Sequence, residues 1–170
     1  IAAAEPHVED LGNFLISLGV KIKGLGTHTL EITGNKKLGG ASHVIIPDPV
    51  EAATFLIMGV ATRSRIKVKN IKEEHLDLVL EKLKEFGATF KTGKNYMEVI
   101  PPKKIKSVDK VEARTYPGIP TDVQAPFGIL ATQAEGKTLI YDTLYEGRLN
   151  YVQGIRKMGA KTKILNAHQM

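Results

Sequence analysis

Residues 75–100 read HLDLVLEKLKEFGATFKTGKNYMEVI, and their order of elements decides the fold. Leu76, Val79, Leu80 and Leu83 recur at the spacing of one helix face, and Gly87 is placed to end that helix in the left-handed conformation. Residues 88–92 then read as a strand, and Gly93–Asn95 turns the chain back into a hairpin that closes near Ile100. The same order stands at residues 7–33. HVEDLGNFLISLG (7–19) puts Val8, Leu11, Leu15 and Leu18 on one face and stops at Gly19. A strand at 20–23 and a turn at Gly24–Gly26 follow, with the hairpin ending near Thr33. RLNYVQGIRKMG (148–159) is a third copy, with Leu149, Val152, Ile155 and Met158 at the same spacing and a strand-like stretch at 160–165.

A second kind of segment occurs twice. Pro47-Asp48-Pro49-Val50-Glu51 opens an apolar helix to about Thr62, followed by a strand at 65–71. Pro120-Thr121-Asp122-Val123-Gln124 opens another to about Ala134, followed by a strand at 137–144. Joined, the two patterns make a unit of roughly 70 residues that is used more than once, which is the mark of a repeated supersecondary module. An α/β (α+β) fold of repeated units is the expectation. The Gly- and Lys-rich stretch 34–42 (GNKKLGGAS) and the Pro- and Lys-rich stretch 101–110 (PPKKIKSVDK) read as connectors. Only a helix and a hairpin precede the first of them. So small a piece buries little core by itself, and it reads as the tail of a module completed elsewhere. The opening Ile1-Ala2-Ala3-Ala4, without Met, fits a chain cut from something longer.

Length and composition narrow the classes. A chain of 170 residues is the size of about one domain, since domains run ~100–200 residues. Its 42% hydrophobic and 25% charged residues argue against disorder. No apolar run approaches the ~18 residues of a membrane span, and no secretory signal opens the chain. Without cysteine there is no disulfide framework, thiolate metal site or cysteine nucleophile in these residues. The formal charge of +6 favours anionic partners, although a solvated lysine-rich surface is the more ordinary account of it. Aromatic content of 6% with no Trp is thin for a surface that stacks bases.

Glu5, Asp48, Glu51, Asp122 and Arg148 stand where strands meet helices or turns. Asp48-Pro49 with Glu51 is a helix start with capping-box character, and Thr121-Asp122 with Gln124 reads the same way. Glu5-Pro6 places an acid beside the first helix dipole. Capping therefore competes with a functional role at each carboxylate. At Asp122 the balance is even, because Tyr116-Pro117-Gly118-Ile119-Pro120 builds a stiff loop ahead of it. The five histidines show no metal-ligand spacing, and Gly24-Leu25-Gly26 and Gly39-Gly40 lack the setting of a nucleotide-binding loop.

Taken together, several segments resemble the UDP-N-acetylglucosamine 1-carboxyvinyltransferase family of enolpyruvyl transferases. They are Glu5-Pro6-His7-Val8-Glu9-Asp10-Leu11, Lys21-Ile22, Gly24-Leu25-Gly26-Thr27, Pro47-Asp48 with Glu51, and Thr54-Phe55-Leu56. Tyr116-Pro117-Gly118-Ile119-Pro120-Thr121-Asp122-Val123-Gln124-Ala125 is the most specific, and Glu146-Gly147-Arg148-Leu149 ahead of Ile155-Arg156-Lys157-Met158-Gly159-Ala160 completes the set. Gly147 and Leu149 depart from the Asn and Phe of many relatives.

The resemblance implies an inside-out α/β barrel of repeated helix–strand modules, incomplete here. Residues 1–46 would be the C-terminal part of one lobe and residues 47–170 two modules of a second. A lysine–asparagine pair, a mobile lid bearing Cys or Asp, and a last module would lie outside these residues. It implies transfer of the enolpyruvyl group of phosphoenolpyruvate to the 3-hydroxyl of UDP-N-acetylglucosamine with release of phosphate, the first committed step of peptidoglycan synthesis. Asp122 would be the base and Arg148 the cation at phosphoenolpyruvate. Asp122, Leu144 and Tyr145 would contact the nucleotide sugar, with Glu5, Asp48 and Glu51 as supporting cleft carboxylates. The resemblance implies no cofactor and no metal. The partners would be the two substrates and the rest of the same polypeptide, with neither nucleic acid nor membrane. A cytoplasmic location follows, with no turnover from these residues alone. The rival expectations are an enolpyruvylshikimate-phosphate synthase-like transferase and a non-catalytic basic module that binds RNA.

Overall fold

A computed structural model describes all 170 residues, Ile1–Met170. They form two compact units, Ile1–Pro47 and Asp48–Met170. In the first unit, helix α1 (Pro6–Ser17) starts on a proline at its first position and is followed by strands β1 (Lys21–Lys23) and β2 (Glu31–Thr33). The strands pair antiparallel, with Lys21 opposite Thr33 and Lys23 opposite Glu31. Ala4, Pro6 and Gly12 are the buried residues of this unit.

The second unit holds the core. Helix α2 (Pro49–Ala61) is apolar on most of its circumference, which suits a helix covered on several sides. It packs on helix α4 (Thr121–Ala131), on helix α3 (Asp77–Glu85), and on strands β3 (Ile66–Lys69) and β5 (Tyr96–Ile100). Strand β4 (Thr89–Gly93) completes an antiparallel sheet in the order β3-β5-β4. Gly93 lies opposite Tyr96, so Lys94-Asn95 is a two-residue hairpin loop. Helix α4 packs on strands β6 (Lys110–Ala113) and β7 (Leu139–Asp142), which are parallel because α4 is the crossover between them. The rings of Phe86 and Phe127, both fully buried, stack with centroids 6.1 Å apart and join the end of α3 to α4.

The expected repeat has a shared physical ending. After α1, after α3 and after α5 (Val152–Lys157) stands a glycine with φ near +100°: Gly19 at 103°, Gly87 at 101° and Gly159 at 95°. In each case the next residue donates its N–H to a carbonyl five residues back: Val20 to Leu15, Ala88 to Leu83 and Ala160 to Ile155. This closes the helix end and leaves φ values that only glycine takes readily.

Other expectations are corrected. The third helix spans only Val152–Lys157, and residues 160–165 form no strand. Strand β6 starts at Lys110, the last residue of the stretch read as a connector, and continues to Ala113. It persists because Val111 and Ala113 point into the core. Residues 168–170 lie along β7: Ile140 and Met170 exchange both backbone hydrogen bonds, and the Asp142 N–H donates to the His168 carbonyl. A separate feature of α4 is Pro126, which lies inside the helix beyond its first turn. Having no N–H, it leaves the Asp122 carbonyl without a helical partner. The three sheets are separate, and no barrel closes within these residues.

Candidate active site

The parallel strands β6 and β7 end at Ala113 and Asp142, register partners, so two following segments start from one edge of the sheet. The carboxyl ends of parallel strands are where open α/β sheets bind ligands. The segment after β6 folds on itself before entering α4. Arg114 donates its N–H to the Ile119 carbonyl (3.0 Å), Gly118 donates to Thr115 (2.8 Å), and the Tyr116–Pro117 peptide is cis. A side chain at Gly118 would come within 2.6 Å of Arg114 Cβ and 2.8 Å of the Thr115 oxygen, so the loop closes only around glycine. This braced loop delivers Thr121 and Asp122 to the first turn of α4.

The expected cap is absent. Pro120 is the residue before α4, and neither Thr121 nor Asp122 caps the helix. The Thr121 hydroxyl donates instead to Asp142 Oδ2, and Asp122 turns outward. Arg148 Nη1 donates to Asp122 Oδ1 at 3.1 Å, with the two side chains 44% and 59% exposed. Asp122 Oδ2 accepts no hydrogen bond on this exposed side chain. The Arg148 guanidinium also lies over the Tyr145 ring, 5.0 Å from its centroid. Leu149, next in the chain, is buried in the core and anchors the segment.

Leu144 is exposed beside Tyr145, but its N–H is taken by Asp142 Oδ1 at 2.9 Å, so its carbonyl and side chain are what remain for contact. Asp48 caps α2: its Oδ1 accepts from the N–H groups of Val50 (2.8 Å) and Glu51 (3.2 Å). The Glu51 carboxylate is exposed and makes no return bond, so the capping box is half made. Neither Asp48 nor Glu51 bonds to Asp122 or Arg148. Glu5 belongs to the first unit, where it precedes α1 without capping it, and its Oε2 is buried without a hydrogen bond.

Sequence reasoning missed Asp142, a fully buried carboxylate. Its one local signal is its place at the end of an apolar strand, two and three residues before the N–H groups it accepts. It also missed Gln124 and Tyr151, whose phenol donates to Gln124 Oε1 at 2.9 Å and ties α4 to the start of α5. Burial, and then the negative charge of Asp142, push the Tyr151 phenol well above its usual range. A cavity of about 390 Å³ adjoins the Arg148 segment, lined by Glu146, Gly147, Leu149, Asn150 and residues of 153–167.

The fold is that of known enolpyruvyl transferases. The enolpyruvyl transferase NikO from Streptomyces tendae matches 97% of this chain with a TM-score of 0.84 at 25% identity, over 40% of its own length. The EPSP synthase from Acinetobacter baumannii matches 87% of the chain with a TM-score of 0.55 at 20% identity, which supports the fold alone. The family profile described as EPSP synthase (3-phosphoshikimate 1-carboxyvinyltransferase) matches residues 2–169, and the chain belongs to that family. Among curated relatives, UDP-N-acetylglucosamine 1-carboxyvinyltransferase 2 of Clostridium acetobutylicum is 39% identical over 96% of the chain. The UDP-N-acetylglucosamine 1-carboxyvinyltransferase of Halothermothrix orenii is 42% identical over the same share. The chain spans 39% of the length of each.

Proposed function

We propose that these residues are the central part of an enzyme that transfers the enolpyruvyl group of phosphoenolpyruvate to the 3-hydroxyl of UDP-N-acetylglucosamine and releases phosphate. One observation carries the reading: an exposed carboxylate, free of any capping duty and with one oxygen unengaged, is held by an arginine at the carboxyl ends of two parallel strands. Identity of about two fifths to relatives bearing that enzyme's name supports the choice of acceptor.

In this reading Asp122 Oδ2 takes the proton of the sugar hydroxyl as its oxygen bonds to C2 of phosphoenolpyruvate. The methylene carbon gains a proton from an acid elsewhere in the polypeptide. The tetrahedral adduct then loses a proton from that carbon as the C–O bond to phosphate breaks, leaving the enol ether and inorganic phosphate. Arg148 neutralises carboxylate or phosphate oxygens, a task for which a fixed guanidinium is suited. The amino end of α4 adds its positive pole. Leu144 and Tyr145 contact the nucleotide sugar, and Glu5, Asp48 and Glu51 shape the field of the cleft. Residues 1–46 and 47–170 are assigned to the two lobes. The product feeds peptidoglycan synthesis in the cytoplasm, and through it cell-wall biogenesis, cell shape and cell division.

The test is titration calorimetry on the complete polypeptide. UDP-N-acetylglucosamine is expected to bind and shikimate 3-phosphate to give no heat; the reverse result removes the proposed acceptor. Retention on RNA without nucleotide-sugar binding removes the enzyme reading.

A further inference from the structure

We infer that Asp142 is a positioning residue that holds Asp122 and Arg148 in register with each other, an inference that rests on the proposed roles of that pair. An isolated surface ion pair is weak and cannot fix its own geometry. Asp122 and Arg148 are such a pair, both well exposed. What fixes them lies beneath. Asp142 is fully buried and forms no ion pair, an arrangement that is costly unless hydrogen bonds satisfy the carboxylate.

Each of its oxygens has a separate task. Oδ2 accepts from the hydroxyl of Thr121, the residue before Asp122. Oδ1 accepts from the N–H groups of Leu144 (2.9 Å) and Tyr145 (3.0 Å), which sets the turn whose Tyr145 ring lies against Arg148. The path Asp122–Thr121–Asp142–Tyr145–Arg148 closes on the 3.1 Å contact between Arg148 and Asp122. The backbone of Asp142 is clamped as well: its N–H donates to the His168 carbonyl and its carbonyl accepts from His168 Nδ1 at 2.8 Å. One buried carboxylate therefore connects the first turn of α4 to the segment that carries the arginine.

The experiment compares Thr121→Val, Thr121→Ser and Asp142→Asn with the unaltered complete polypeptide. Valine keeps the shape of threonine and removes the donor to Asp142. Serine keeps the donor. Asparagine keeps the acceptor for Leu144 and Tyr145 and offers Thr121 an amide N–H that its hydroxyl accepts. Thr121→Val is expected to lower kcat about 10- to 100-fold, the scale of loss when a reacting group is slightly misplaced. KM for the nucleotide sugar should change by less than about threefold, the split that separates transition-state alignment from uniform binding. Thr121→Ser and Asp142→Asn should stay within about threefold of the original kcat, since both preserve the hydrogen-bond path.

The second readout is independent of turnover: the Arg148 Nε–H signal in the nitrogen–proton NMR spectrum. It should shift in Thr121→Val, as the guanidinium moves off the Tyr145 ring, but not in Thr121→Ser. An unchanged Arg148 signal in a folded Thr121→Val protein overturns the positioning role. So does a kcat loss in Asp142→Asn as large as that in Thr121→Val, because charge rather than hydrogen bonding would then matter. Full turnover by Asp122→Asn removes the catalytic reading instead, and the NMR comparison still decides whether Asp142 holds the pair.

Discussion

At the scale of the single residue, Asp122 is unusual in what it does not do. Asp48 opens α2 and caps it with one oxygen, whereas Asp122 opens α4 and accepts no hydrogen bond from the helix backbone. Asp122→Asn is therefore expected to leave the unfolding midpoint nearly unchanged, because the exposed pair it weakens contributes only ~0–1 kcal/mol. Turnover in the complete polypeptide should fall by about 10²-fold or more, the share a positioned base supplies. Normal phosphate release by this variant would dismiss Asp122 as the base. Tyr151 yields a pH-dependent expectation. Its phenol ionises near 10 in the unfolded chain and at higher pH in the folded one. Below pH 10 both states are protonated and its contribution is intact. Above pH 10 the unfolded state sheds the proton first, so stability declines as pH rises towards the folded value. Tyr151→Phe should lose about 1–3 kcal/mol at pH 8, by orphaning Gln124. It should also show a smaller further drop between pH 9 and pH 11 in urea unfolding. An equal drop in both proteins would refute this. Asp122 and Arg148 were legible as a pair only through a resemblance, since 26 positions separate them and no periodicity links them. Asp142 escaped notice for the same reason: Thr121, the donor to its Oδ2, stands 21 positions away.

At the scale of the element, the helices were legible where apolar spacing and a terminal glycine agreed. Helices α1 and α3 end where Gly19 and Gly87 predict, by the same backbone device. Gly87→Ala is expected to cost about 1–2 kcal/mol, since an alanine is strained at positive φ. The expected signature is a lower melting temperature, and an unchanged one would contradict the motif as described. Phe127→Ala removes one of the two stacked, fully buried rings and should cost about 3–5 kcal/mol by chemical denaturation. The elements that escaped the pattern are short. Strand β6 spans four residues beside a lysine-rich stretch, and residues 168–170 pair with β7 without any alternation of their own. For both, tertiary pairing rather than local composition makes the structure.

At the scale of the whole molecule, the repeat was readable because the same helix ending recurs three times, and so were the two hairpins, whereas the pairing of β3 with β5 and of β6 with β7 was not, since it depends on contacts far apart in sequence. The chain covers two fifths of its curated relatives, so residues 1–170 alone are expected to release no phosphate from phosphoenolpyruvate and UDP-N-acetylglucosamine. Measurable release would show that the proposed second half of the cleft is dispensable. Gly118 bears on any attempt to redirect the acceptor by laboratory evolution. The bend it permits admits no larger residue without a shift of the loop, so libraries across positions 114–120 are expected to keep their stability only where Gly118 is held fixed. Positions 144–146 follow a buried carboxylate anchor yet present exposed side chains, and they offer the ground where new sugar preferences can be sought without dismantling the scaffold.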